Sequence, residues 1–527
     1  MSASRIDPSA TGHPRPDRRR ERWASLEGTW EFSFDEPSFD QAIVVPFAYQ
    51  CERSTIDTID PHEVLWYRRR FTPPAHATDE RVLLHFGAVD FAATVWVDGT
   101  EVGRHRGGHT SFTCDVTDAL LPDADADVHE VRVQVVDEFR ADQLRGKQTA
   151  TFPFFVHYTA TSGIWQSVWC EVTGPRWVRE SHVVAEADGT IAVGVDIAGA
   201  PGGTVRVTVG DDDSGGALVL EGAAGTEVSG RHGAVRRWSP TDPALFALRI
   251  DVLDDDGRIQ DTVFGHVGFR TVTVEAGRWL LNGEPLYQRL LLDQGYWPES
   301  LLTPPSDDAL VADLTYVRDA GFNGVRKHQK IEDPRFLWHA DRLGLVVWEE
   351  LPSPFWLAHI EGDLEGDATA EWTEAIVRDR NHPSVVAWVP FNESWGVQDL
   401  HRVPERRDTV RRLVAHTRAL DPTRPVVDNS GWGHVDTDIV DVHDYDQDPA
   451  RLTARWTGIE AKGWDRGPAI DGEGSTDPDE IDAALQRWRA FVDPPEADLV
   501  DDRWMIEALP DTAVWAPGCL PEPGTAG

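Results

Sequence analysis

Asn392 and Glu393 stand together in a run that reads Val385-Val386-Ala387-Trp388-Val389-Pro390-Phe391-Asn392-Glu393-Ser394-Trp395-Gly396. An apolar run of this length is a buried strand, and the polar pair falls at its end. A carboxylate beside an amide suits glycoside chemistry. The acid can protonate a departing oxygen while the amide holds a sugar hydroxyl. Taken by itself, the pair is not specific to that chemistry.

Other strand ends carry reactive types as well. Asp293 follows Leu290-Leu291-Leu292, and His328 follows Gly324-Val325-Arg326-Lys327. Glu349 and Glu350 close Leu345-Val346-Val347-Trp348; being adjacent, they point to opposite sides, so at most one faces a pocket. Asn429, Trp432, His443 and Tyr445 close later runs. No phosphate loop, dinucleotide fingerprint or H-E-x-x-H pair is present. His105 and His109 have metal-like spacing but sit in a Gly-rich loop without a third ligand. Neither a metal nor a cofactor is expected.

Elements of two rhythms must position these residues. Residues 1–20 read as a disordered tail. Over 21–174 short strands alternate at period two, and Thr94-Val95-Trp96-Val97 meets Asp98-Gly99, a hairpin signal. Many such strands predict a jelly-roll sandwich. Residues 175–272 are again strand-rich and predict an immunoglobulin-like sandwich, with Val205-Arg206-Val207-Thr208-Val209 as a clear alternating run. From 273 to 455 strands and helices alternate, which implies parallel strands and a (β/α)8 TIM barrel. The helices fall at Ser306–Ala320, Pro334–Leu343, Ala368–Arg380 and up to Leu420. The fifth and sixth strands fall at Pro425–Asp428 and Ile439–His443. The pattern is lost after Arg455. Residues 456–527 read as a divergent C-terminal segment, and the barrel is incomplete on this reading.

Composition narrows the partners. The chain has 527 residues and a formal net charge of −40, which excludes nucleic acid and anionic membrane surfaces. The 22 tryptophans supply flat apolar faces of the kind that meet sugars, although most must be core. Cys51, Cys114, Cys170 and Cys519 show no metal or disulfide spacing. Without a secretory leader or membrane span, a soluble cytoplasmic protein is expected, and a homo-oligomer stays open.

The segment from Asn381-His382-Pro383-Ser384 to Glu393-Ser394-Trp395-Gly396 resembles the acid/base motif of family 2 glycoside hydrolases. These include β-galactosidases, β-glucuronidases and β-mannosidases. Leu65-Trp66-Tyr67-Arg68-Arg69-Arg70-Phe71, Phe86-Gly87-Ala88-Val89-Asp90, Gly107-Gly108-His109 and Ser162-Gly163-Ile164-Trp165-Gln166 resemble the family's N-terminal sandwich. Trp238-Ser239-Pro240, Gly268-Phe269-Arg270 and Leu281-Asn282-Gly283 resemble its central sandwich and the junction with the barrel.

The resemblance implies a retaining exo-glycosidase with a carbohydrate substrate. Glu393 would be the acid/base, and Asn392 would bind the 2-hydroxyl. A second glutamate would form the glycosyl-enzyme, with the two carboxyls about 5–5.5 Å apart. His328, His443 and Tyr445 match positions near the sugar. Asp293 is a candidate hydroxyl ligand, and Trp395 and Trp432 are candidate stacking faces. Glu473, in Ile470-Asp471-Gly472-Glu473-Gly474-Ser475, is the candidate nucleophile, although it lacks the family's following aromatic and also reads as an acidic turn. The alternative is a carbohydrate-binding protein on an impaired glycosidase scaffold. Arg326, Lys327 and Lys330 could meet a uronic acid carboxylate or serve as ordinary charges beside a helix.

Overall fold

A computed structural model describes residues 12–456, apart from 121–127, 141–142, 150–155, 211–215, 234, 276, 355–357, 401 and 446–447. Glu473 and the rest of 457–527 lie outside the described residues.

The first sandwich packs a six-stranded antiparallel sheet on a four-stranded one. His129–Val136 lies at the heart of the larger sheet, between Val64–Phe71 and Ala92–Val97. Its Val131, Val133 and Val135 are buried, while Arg132 is exposed, as a half-buried strand requires. Asp98 (φ 47°) and Gly99 (φ 83°) make the expected hairpin turn, because both residues sit in the left-handed region that a type I′ turn needs. The run Ile164–Trp169 divides into two strands, Gly163–Ile164 and Val168–Thr173, in different sheets. Cys51, Cys114 and Cys170 are free and buried.

The second sandwich pairs a three-stranded sheet with a four-stranded one, both antiparallel. Val193, Val205, Val207 and Ile250 form its core. A hairpin, Val272–Glu275 with Arg278–Leu281, leads on to the barrel.

Four parallel strands begin the barrel in sequence order: Leu290–Asp293, Gly324–Lys327, Val346–Glu350 and Val385–Val389. Phe391–Asn392 then pairs in parallel with Asn429–Ser430, and Trp388 bridges Val426. Helices Asp307–Asp319, Pro334–Leu343, Asp363–Asp379 and Pro404–Leu420 cover the arc. Their ends are written locally: the Ser306 side chain accepts from the Ala309 amide, Pro334 opens the second helix and Gly344 closes it in the left-handed region. The helix expected at Ala368–Arg380 begins earlier, at Asp363.

Two expectations need correction. Ile439–His443 is not a strand among the described residues. Its polar side chains tie it to the preceding turn instead: Asp441 accepts from Ser430 Oγ and the Gly431 amide, and the His443 amide donates to Gly431 O (3.2 Å). Residues 12–20 are not a disordered tail. Arg20 is buried between the two sandwiches, donating to Glu171 (2.6 Å) of the first and to Asp261 (2.9 Å) of the second. An arginine-rich run looks solvated in sequence, but here buried carboxylates neutralise it.

The barrel is riveted to the second sandwich by a buried triangle. Asp341 Oδ2 accepts from His266 Nε2 (2.7 Å) and from His382 Nδ1 (2.6 Å). These three side chains cluster at metal-like range. Because both imidazoles share one carboxylate oxygen, the group is a hydrogen-bonded rivet rather than a ligand cage. His382 is held above its usual value: burial opposes its charge, but Asp341 and Asp17 outweigh burial.

Candidate active site

The mouth of the barrel gathers most of the residues singled out above. Pro390 ends the fourth strand, and the chain then makes the short strand Phe391–Asn392. Glu393 (φ 47°) and Ser394 (φ 59°) follow, both in the left-handed region. Two consecutive non-glycine residues there store backbone strain, roughly 1–3 kcal/mol each. The fifth strand holds them in place. The Glu393 amide donates to Ser430 O (3.0 Å), and the Ser394 amide donates to Asn429 Oδ1 (2.7 Å). Asn429 Nδ2 in turn donates to Ser394 Oγ (3.1 Å) and Gly433 O (2.8 Å).

Glu393 Oε1 is hydrogen-bonded to His443 Nδ1. Burial alone would raise the Glu393 carboxyl, but the His443 contact first and the Lys147 charge second outweigh burial and hold it below the usual carboxylate range. The other nitrogen of His443 meets Arg326 (3.0 Å), so the ring is gripped from both sides. Tyr445 OH lies 3.4 Å from His443 Nδ1.

Arg326 organises the floor. Its guanidinium donates to Glu350 Oε2 (2.7 Å, from Nε) and to Asn392 Oδ1 (2.7 Å). Asn392 is therefore oriented by an arginine, with its amide nitrogen as the remaining donor. Glu350 also accepts from the Gln329 amide (3.0 Å) and lies 3.0 Å from His328 Nδ1. Burial would raise Glu350, yet Arg326 and His328 hold it at about 2. His328 is pushed down to about 4, by burial first and the Lys147 charge second. Glu349 turns the other way, toward Asp379 in the helix layer, where burial and that like charge keep it well above the usual range. One of the adjacent glutamates thus faces the barrel interior and the other does not.

Several of the other residues singled out make contacts within the protein. Asp293 is engaged internally, accepting from Lys327 Nζ (2.9 Å) and the Gly295 amide (2.8 Å). Lys327 also pairs with Glu332 (2.6 Å), and Lys330 donates to Gly295 O and Leu302 O (both 2.7 Å). All three cations of the Arg326–Lys330 run are therefore buried and satisfied within the protein. Trp395 is buried, stacked 6.1 Å from His157 of the first sandwich. Trp432 is half-buried, between Gly431 and Gly433. His105 and His109 meet Glu374 and Leu144 O at the sandwich–barrel seam.

Three family descriptions match in chain order. Residues 44–167 match the glycosyl hydrolase 2 galactose-binding domain-like family, 176–270 the glycosyl hydrolases family 2, and 305–458 its TIM barrel domain. The chain belongs to family 2 of the glycosyl hydrolases. It is similar to a β-glucuronidase of Paenibacillus borealis, at 29% identity over 442 residues, 76% of this chain and 72% of that one. A β-galactosidase of Thermoanaerobacter pseudethanolicus is 25% identical over 419 residues, 76% of this chain and 53% of that one. The solved structure of a β-D-glucuronidase for Dictyoglomus thermophilum has a TM-score of 0.65 and 22% identity, covering 78% of this chain and 73% of that one. That likeness establishes the fold. As a family 2 member the chain is a glycoside hydrolase. Among the described residues no helix is long and apolar enough to cross a membrane.

Proposed function

We propose that this family 2 chain is a retaining exo-glycosidase that removes terminal β-linked sugars. Glu393 serves as acid/base. The observation that carries the reading is the strained turn at Glu393, which is held by two backbone donations to the neighbouring strand. Strain kept in place by dedicated hydrogen bonds fixes one carboxylate at the barrel mouth, where such folds do their chemistry. Asn392 donates to the 2-hydroxyl from the amide that Arg326 orients. His443 sets the protonation of Glu393, and His328, neutral at pH 7, offers a sugar hydroxyl a partner without charge. Glu473 is proposed as the nucleophile on sequence alone. The substrate is a β-galactoside, β-glucuronide or β-mannoside.

The test is turnover of nitrophenyl β-glycosides by the full chain, with Glu393→Gln and Glu473→Gln alongside. Loss of about 100-fold or more in both variants supports the reading. A second reading, a carbohydrate-binding protein without turnover, is favoured by one observation: the Glu393–His443 pair keeps the would-be acid ionised. Sugar binding without any turnover decides for it.

A further inference from the structure

His443 meets Glu393 with one ring nitrogen and an arginine with the other. Nδ1 is hydrogen-bonded to Glu393 Oε1, and Nε2 lies 3.0 Å from Arg326 Nη1. The ring is held in this orientation. A Cβ on Gly431 would run into it, so the ring rests on that glycine, and the His443 amide donates to Gly431 O (3.2 Å). Turning the ring over would set carbons against both Glu393 and Arg326 and forfeit both hydrogen bonds.

Which nitrogen carries the ring proton follows from these partners. A guanidinium only donates, and it does not lose its proton in a protein. Nε2 must therefore offer Arg326 a lone pair. The ring proton is then on Nδ1, from which it is donated to Glu393. The other groups beside the ring leave this unchanged. Ser430 Oγ lies 3.3 Å from Nε2, but its hydroxyl donates to Asp441, and Tyr445 OH lies 3.4 Å from Nδ1. Arg326 is itself fixed. Glu350 and Asn392 accept from its other nitrogens (both 2.7 Å), and all three side chains are buried.

We infer that Arg326 is a positioning residue for the acid step, acting on Glu393 through His443 by fixing the Nδ1–H form of the imidazole. This rests on the acid/base reading of Glu393 above. Two consequences follow. Glu393 Oε1 only accepts from the ring, so the proton of the acid form sits on Oε2, the oxygen not bonded to His443. His443 also cannot draw that proton off. Nδ1 already holds one, and a proton added to Nε2 would face the N–H of a guanidinium at 3.0 Å. The transfer is thereby confined to the substrate. The Oε2–H bond breaks, its electron pair stays on the carboxylate, and the proton goes to the departing oxygen as the glycosidic bond opens. The Nδ1–H bond steadies the carboxylate that is left.

The experiment is a long-range proton–nitrogen correlation spectrum of the full chain at pH 7, carrying nitrogen-15-labelled histidine. The His443 signals are those absent from His443→Gln. The expected pattern is a pyrrole-type Nδ1 and a pyridine-type Nε2. A pyrrole-type Nε2, alone or beside a pyrrole-type Nδ1, overturns the proposal. Arg326→Lys combined with Glu350→Gln removes the guanidinium without stranding its carboxylate. In that variant the single form should be lost and both tautomers should be seen. A ring that keeps the Nδ1–H form there would show that Glu393 alone fixes it, and would overturn the role of Arg326. Where the variant does not fold, as its circular dichroism would show, the spectrum of the unaltered chain decides. Turnover is read separately: the expected tautomer in a chain that cleaves no nitrophenyl β-glycoside supports the action of Arg326 on His443 while sinking the proposed hydrolysis.

Discussion

Glu393 and His443 are hydrogen-bonded to each other across the barrel mouth, although 50 residues separate them in sequence. His443 is the main reason the Glu393 carboxyl lies below its usual range although the side chain is largely withdrawn from water. An acid/base must hold a proton in the first step, so this contact sets the upper pH at which the site can work. Replacing His443 with Phe removes the lowering influence and leaves burial to raise the carboxyl. The alkaline limb of kcat/KM against pH should move upward. A limb that stays in place while only the rate falls would separate His443 from the protonation of Glu393.

Asn429 restrains the strained turn through three hydrogen bonds, one accepted from the Ser394 amide and two donated. Asn429→Ala leaves the Ser394 amide buried without a partner, at a cost of about 1–3 kcal/mol. The turn should relax from the left-handed region and displace Glu393. The expected result is a drop in kcat of about 10- to 100-fold, with a smaller change in thermal midpoint. A loss of stability with kcat intact would show that Glu393 keeps its place without Asn429.

The two sandwiches are legible in the sequence because each strand carries its own evidence. Val131, Val133 and Val135 alternate with polar residues, and Asp98-Gly99 announces its turn. The first barrel helices are legible for the same local reason, through Ser306, Pro334 and Gly344. Glu393 and Asn392 stand out because a strand end is a local feature. What could not be read is whatever tertiary packing decides. Arg326, Lys327 and Lys330 could meet an acidic sugar or serve as ordinary charges beside a helix; packing decides, because Glu350 and Asp293 arrive from the neighbouring strands while Glu332 turns back from the same loop. Gly146 and His157 sit in an aperiodic stretch nearly 200 residues or more before the residues they approach, so no window of sequence connects them. Arg20 reads as tail because its partners, Glu171 and Asp261, lie in two later domains.

That last contact is testable by stability. Arg20 is a buried cation with two carboxylates on it, and burial of its charge is outweighed by Asp261 and Glu171. Removing one member of such a cluster strands the others, which costs about 3–5 kcal/mol. Arg20→Ala should lower the thermal midpoint of the two sandwiches, and Arg20→Lys should recover part of it. An unchanged melting profile in Arg20→Ala would show that residues 12–20 add nothing to the seam.

Gly146 locks the first sandwich to the barrel by close approach of two backbones. Gly146→Ala would place a methyl 2.7 Å from Gln329 O in a conformation with φ +56°. Neither the carbonyl nor the loop backbone can yield cheaply, so the loop should lift. The expected outcome is a rise in KM of about 10-fold with a smaller change in kcat, because the loop withdraws from the mouth. Full activity in Gly146→Ala would mean that the site is complete without this loop.

The same seam holds a cluster of buried acids. Glu371 accepts from the His109 amide (3.0 Å), and Asp90 and Asp137 lie buried near it, with Glu374, Asp367 and Arg145 as the other charges in reach. Burial pushes Glu371 up to about 8, with Glu374 and Asp367 adding to the rise, and burial and Asp137 push Asp90 well above its usual value. A carboxyl whose folded value is raised contributes stability that is fully present below its unfolded value. That contribution is lost as pH rises, until the folded group itself ionises. For Glu371 the window runs from about 4.5 to about 8. The folded state should therefore weaken progressively across this range, by an amount on the order of a few kcal/mol from this residue. Glu371→Gln keeps the acceptor for His109 and cannot ionise. The variant should match the unaltered protein near pH 5 and exceed it in thermal midpoint at pH 8. A variant that is less stable at both pH values would show that Glu371 is ionised in the folded protein and that its charge is needed there.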